Sequence, residues 1–334
     1  MELQSVWGWQ PALYLFLGGM GAGAFIMAAI LYLKDGERHG KIVCASMWAA
    51  AISLVVGLLL LLLELITPLR GLLMWQSFSH FTSWMTYGAW GAFGAIVVFG
   101  VSALLATPQV NAWFAGRFPS FEARERSIRK VLAIVGAALG AFVAFYTGML
   151  LMSSGSVPFW DTLLLPLLFT VSAFDTGVAL VEIIAAALAK KEELAAEAKH
   201  FMECCVVVLV TVEAVVLAAF LGLALLADAS VATGAAAAAS ASMFVSGQLA
   251  GWFWGLVVVV GLVAPFCMAL RGLLANKRAA AVSEEAVVGK AGVDTLALSG
   301  AAGALIGGCA LRFLVLAAGV HADVVAETVF KMIN

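Results

Sequence analysis

Long apolar runs alternate with short polar connections along the whole chain. Eight runs occupy residues 11–33, 41–66, 83–106, 130–152, 160–189, 200–228, 243–270 and 296–320. Each reaches about 20 residues or more, the length at which a helix crosses the hydrocarbon core of a bilayer. The runs are solidly apolar, whereas the strands of a membrane barrel would read as short alternating segments. The pattern predicts an all-α integral membrane protein with eight transmembrane helices. We divide it into two four-helix bundles, residues 1–152 and 153–334.

Composition agrees with that class. Of 334 residues, 64% are hydrophobic and 11% charged, against about 45–50% and about 25% in soluble domains. A soluble globular chain and a disordered one are both excluded. The net charge of −2 offers no basic surface for nucleic acid. Met1 to Gln10 carries no Lys or Arg, so the positive start of a signal peptide is missing and the first run is expected to stay as a helix.

Basic residues are distributed very unevenly. Of the 18, 15 fall in the connections after helices 1, 3, 5 and 7, from Lys34 to Lys290, leaving Arg70, Lys331 and the intrahelical Arg312. Positively charged connections face the cytoplasm, which places both termini outside. The stretch 229–242, rich in Ala, Ser and Gly, and the tail beyond Val320 leave little room for an outer domain. Chemistry on a soluble substrate then requires a partner or happens at the membrane edge.

Polar and aromatic side chains collect at the outer ends of helices 1 to 4: Trp7, Trp9 and Tyr14; Glu64 followed by Arg70; His80, Trp84, Tyr87 and Trp90; and Tyr146. An interfacial belt accounts for Trp and Tyr at headgroup depth. It does not call for a carboxylate below the headgroups, which marks a functional site by default. Oxidation of a quinol needs hydrogen-bond partners for two oxygens, a slot for the ring and an acceptor for two protons. Tyr14 and Tyr146 fit the first role, with His80, Trp84, Tyr87 and Arg70 around them, and Glu64 fits the last as a general base. Gly19 and Gly23 have the small-xxx-small spacing of a close helix contact.

A second set of ionisable residues lies deeper: Asp175 and Glu182, seven apart on helix 5, Glu213 in helix 6 and Arg312 in helix 8. An unpaired charge at the bilayer centre costs about 2.5–3.5 kcal/mol on insertion scales, so the economical arrangement pairs Arg312 with one or more of these acids. The set reads either as a structural ion pair or as a proton path. The four histidines lie in connections or at helix ends, leaving no pair to clamp a haem between two spans. The five cysteines form no C-x-x-C pair, so neither a zinc site nor an iron–sulfur cluster is expected in this chain.

Several stretches resemble the NrfD/polysulfide reductase family of membrane subunits. They are Trp9-Gln10-Pro11-Ala12-Leu13-Tyr14-Leu15-Phe16-Leu17-Gly18-Gly19 with Gly21 and Gly23; Ser83-Trp84 with Gly88 and Trp90; and Tyr146-Thr147-Gly148-Met149-Leu150-Leu151. Val157-Pro158-Phe159-Trp160 follows, then Pro166-Leu167-Leu168-Phe169 with Ser172 and Gly177, and Gly307-Gly308 with Arg312 and Gly319. The resemblance implies a haem-free subunit in the cytoplasmic membrane of a prokaryote. It would exchange electrons between menaquinone, or another quinone, and a ferredoxin-like 4Fe–4S subunit, itself joined to a molybdopterin catalytic subunit on the outer side. It also implies a quinone pocket within the first four helices, with Tyr146 at the family's tyrosine. Pro11 and Tyr14 stand where the polysulfide-reductase version has Asn and His. The competing class is a secondary transporter built on the intramembrane Asp, Glu and Arg residues, although inverted repeats are not evident.

Overall fold

The computed structural model describes residues 2–5, 7–64, 84–118, 123–282 and 295–322. Arg70, His80, and the ends of the second and third apolar runs next to them (65–66 and 83) lie outside the described residues. Among the described residues the chain is helical, with one isolated antiparallel bridge between Leu3 and Val320. Eight helices are long and apolar enough to cross a membrane.

The first half contains α1 (Trp9–Asp35), α2 (Gly40–Glu64), α3 (Trp84–Ala106), the short α4 (Pro108–Arg117) and α5 (Glu125–Met152). The second half contains α6 (Leu164–Leu188), α7 (Ala196–Leu225), the short α8 (Ala232–Val245), α9 and α10 (Thr295–Ala317). Helix α9 is compound, with Ala250–Trp252 leading into π-helical Phe253–Val263 and then Ala264–Val282. Two differences from the apolar runs follow. Residues 229–242 are largely helical rather than a bare stretch, and α8 carries this helix through Val245, so the seventh span starts at Ala250 and not at 243. The fifth span starts at Leu164, because Trp160 belongs to the turn before it.

Helix α1 is the most enclosed span and packs against α2, α5, α6 and α10. Its glycines explain how. A Cβ on Gly23 would collide with the backbone of Ala173 and Gly177 on α6, and one on Gly177 with Gly23 and Ala24. Glycine here lets two backbones touch, the usual device where a membrane removes the hydrophobic drive for helix association. The π-helical segment reaches α10 in the same way, at Gly261 against Gly307. Helix α1 ends at Asp35 because Gly36 turns to φ +61° and returns its N–H to Tyr32 O, a left-handed conformation that glycine adopts without steric cost.

Both ends of the bundle are tied. At the end where α1 begins, the side-chain amide of Gln4 donates to Trp7 O and Leu316 O. The buried Trp160 donates Nε1–H to Val315 O at 3.0 Å and meets Trp7 edge-on. At the Lys/Arg-rich end, the Glu192 carboxylate accepts the backbone N–H groups of Lys41 and Ile42, supplying the acceptors that the first turn of α2 lacks. Lys34 lies 3.7 Å over the Phe201 ring.

Candidate functional site

Two groups of residues stand out against the apolar interior. The first lies between α1, α2, α3 and α5, near the end where α1 begins. Tyr14 and Tyr146 are both buried, at 3% and 5% exposure, and close enough to interact electrostatically. Glycines make room for them. Gly57 of α2 sits so near Tyr14 that an added Cβ would meet its ring at 3.4 Å, and a Cβ on Gly88 of α3 would fall inside the Tyr146 ring. Phe142, one turn before Tyr146, stacks on it with centroids 6.2 Å apart. Two buried phenols in apolar surroundings are each able to donate and accept a hydrogen bond.

Glu64 is half-buried at the last position of α2. A carboxylate at a helix C-terminus is opposed by the helix dipole. Here it reaches the start of α1 instead, where its carboxylate lies close to the Gly8 backbone at the electropositive end of that helix. It lies seven residues beyond Gly57, about 10 Å along α2, and so is nearer the surface than the two phenols. Trp84 and Tyr87 pack edge to face at 6.0 Å and are 41% and 44% exposed. Trp84 lies four residues before Gly88 and shares its face of α3. The structure therefore brings Tyr14 and Tyr146 together, with Glu64 about two turns away and the Trp84–Tyr87 pair on α3 beside them.

The second group is built on Arg312, which is fully buried. Its Nη1 donates to Ser172 Oγ at 2.5 Å and Gly308 O at 2.9 Å, and its Nη2 to Phe169 O at 3.2 Å. The guanidinium also sits 5.1 Å from the centre of the Phe169 ring. The expected direct pairing with an acid is not what forms. Among the described residues Arg312 makes no ion pair within 4.0 Å; Ser172 accepts from it, and Glu213 interacts with the guanidinium electrostatically. Asp175, 2% exposed, interacts electrostatically with Glu213, Glu182 and Arg312, but among the described residues its Oδ1 has no hydrogen-bond partner. Glu182 is half-buried, two turns along α6.

Charge and aromaticity do not single out Ser172, Gly57 or Gly88 as site residues. Ser172 and Gly88 stand out only among the residues that carry the family resemblance, with no role attached to them there.

Residues 1–322 match a family model described as polysulphide reductase, NrfD. The chain belongs to this family. It is similar to the C subunit of polysulfide reductase from Wolinella succinogenes, 32% identical over 180 residues, which is 52% of this chain and 56% of that protein. It is also similar to protein NrfD of Escherichia coli K12, 28% identical over 276 residues, or 79% of this chain and 84% of that one. An NrfD homologue of Haemophilus influenzae is 25% identical over 279 residues. The chain thus spans just over half of the Wolinella protein and most of the E. coli one. As an NrfD-family protein with eight apolar spans, it is a multi-pass membrane protein.

Proposed function

We propose that this chain is the membrane subunit through which a respiratory oxidoreductase exchanges electrons with the quinone pool. The observation that carries the reading is the pair of buried phenols, Tyr14 and Tyr146, set against glycines on α2 and α3. Tyr14 and Tyr146 would hold the head-group oxygens, and the Phe142 and Trp84 rings would border the slot. Glu64 would take a proton and pass it to the near surface. When bound, quinol supplies two electrons and two protons, with the electrons leaving to an iron–sulfur partner.

The Wolinella relative is by name one component of a reductase, which supports a multi-subunit assembly for this protein as well. In our reading the partner is a ferredoxin-like 4Fe–4S subunit joined to a molybdopterin catalytic subunit. It docks at the end where α1 begins, which the Lys/Arg count assigns to the outer face of a prokaryotic cytoplasmic membrane. Tyr146→Phe and Glu64→Gln, each assayed in membranes for quinol-linked turnover of the assembled complex, test the reading. It predicts at least a tenfold loss in each. Wild-type turnover in both would remove the site assignment.

A further inference from the structure

Helix α3 stops at Ala106. Thr107 is extended, as a residue before proline tends to be, and Pro108 opens the separate ten-residue helix α4. The corner is tied to α2, where Trp48 donates Nε1–H to Thr107 Oγ1 at 3.0 Å. Asn111 of α4 donates to the Glu125 carboxylate, which places α4 beside the first turn of α5. We propose that α4 and the start of α5 form a binding site for anionic phospholipid at the Lys/Arg-rich end of the bundle. The site is independent of quinone exchange.

No residue of α4 is buried, yet its second half is aromatic. Trp113 meets Phe114 edge-on at 4.9 Å, and Phe114 stacks on Phe118, just past the end of the helix, at 6.3 Å. Trp113 is 63% exposed and Phe118 50%. The helix follows directly on a span, so it lies near the membrane surface, where an exposed Trp belongs at headgroup depth. Arg117, one turn beyond Trp113, shares its face. Aromatic and basic residues together on one helix are the pattern of a segment lying in the interface.

The charge around α4 is one-sided. Residues 117–130 carry five basic side chains and two acidic ones. Glu125 lies 3.2 Å from Arg129, whose guanidinium also sits over the Tyr32 ring, so these two charges are already matched. Arg117, Arg124, Arg126 and Lys130 are exposed. Basic residues immediately beside a span attract the headgroups of anionic lipids.

What lies beneath the charges selects a lipid over a soluble anion. Arg126, Lys130, Ile134 and Ala138 follow at intervals of four on α5, neighbours along one row of the helix, and all four are exposed. Two cations lead into two apolar positions, of which Ile134 is 58% exposed. Ile134 and Ala138 lie about 6 and 12 Å farther along the helix than Lys130, toward the middle of the span. A phosphate held by Arg126 and Lys130 therefore directs its acyl chains along Ile134 and Ala138. A soluble phosphate or nucleotide would have no use for that apolar row.

Lipid retention by the intact complex tests the site without turnover. The complex in detergent is equilibrated with equal amounts of phosphatidylglycerol and phosphatidylcholine, and the lipid that stays bound is counted by native mass spectrometry. Wild type should keep phosphatidylglycerol in preference. Arg124→Gln/Arg126→Gln/Lys130→Gln should retain at least threefold less of it. Lys190→Gln/Lys191→Gln, at basic positions of the same end but outside the site, should retain as much as wild type. Unchanged retention in the first variant overturns the site, and so do equal losses in the two, which would reduce the effect to diffuse charge. A second measurement leaves the basic residues in place. In phosphatidylglycerol vesicles containing phosphatidylcholine brominated near the headgroup end of its chains, the difference between wild type and Trp113→Phe isolates the emission of Trp113. That emission should fall at least twofold relative to unbrominated vesicles. Unquenched emission would put Trp113 outside the bilayer, leave a protein partner as the occupant of α4 and contradict the lipid site.

Discussion

The Tyr146 ring occupies the space that any side chain at Gly88 would need. The absence of one Cβ on α3 therefore lets a phenol from α5 lie flat between the helices beside Tyr14. Gly88→Ala would force the ring aside at an overpacking cost of about 1–3 kcal/mol. We expect quinol-linked turnover to fall at least tenfold with the complex still assembled. Adding Tyr146→Leu should restore thermal stability without restoring turnover. A Gly88→Ala variant with full turnover would show that the ring's position is unimportant.

Ser172 holds the Arg312 guanidinium. A hydrogen bond to a charged group contributes about 1.5–3 kcal/mol, and Ser172→Ala removes it in a site sealed from solvent. The midpoint of thermal unfolding in detergent should fall by several degrees, and Ser172→Thr, which keeps the hydroxyl, should recover most of the loss. Equal stability of the Ala and Thr variants would mean that the serine does not hold the arginine.

The backbone contact between Gly23 and Gly177 holds α1 to α6. Val at either position would push these helices apart, because the colliding atoms are backbone and cannot move independently. Gly23→Val and Gly177→Val are expected to abolish accumulation of the folded subunit in membranes, as read by quantitative blotting. Gly116→Val, at a glycine with open space around it, should accumulate normally.

The spans were legible in the sequence because twenty apolar residues have one economical arrangement in a bilayer, and the described spans follow the runs closely. The short helices α4 and α8 were not. Ten and fourteen residues are too few to span, and Ala-rich Ala232–Val245 carries no amphipathic stripe to reveal it. The π-helical turn lies in Phe253–Val263, where almost every residue is apolar, so no change of period can be read. Tyr146 and Glu64 attracted attention because polar groups in lipid need a reason. That Tyr14 and Tyr146 adjoin depends on how α1, α2, α3 and α5 pack, which individual residues do not reveal. The acids and Arg312 were likewise visible as charges, but charge alone pointed to direct pairing and missed the serine and carbonyls that hold the guanidinium.

The account centres on Tyr14 and Tyr146 as the hydrogen-bonding pair of a quinone site. Its most direct test is equilibrium binding of a short-chain menaquinone analogue to the purified complex, followed by quenching of tryptophan fluorescence. Each lost hydrogen bond is expected to remove about 0.5–1.5 kcal/mol, so the Tyr14→Phe/Tyr146→Phe double variant should bind roughly fivefold or more weakly than wild type. Equal affinity in the two proteins would contradict the account.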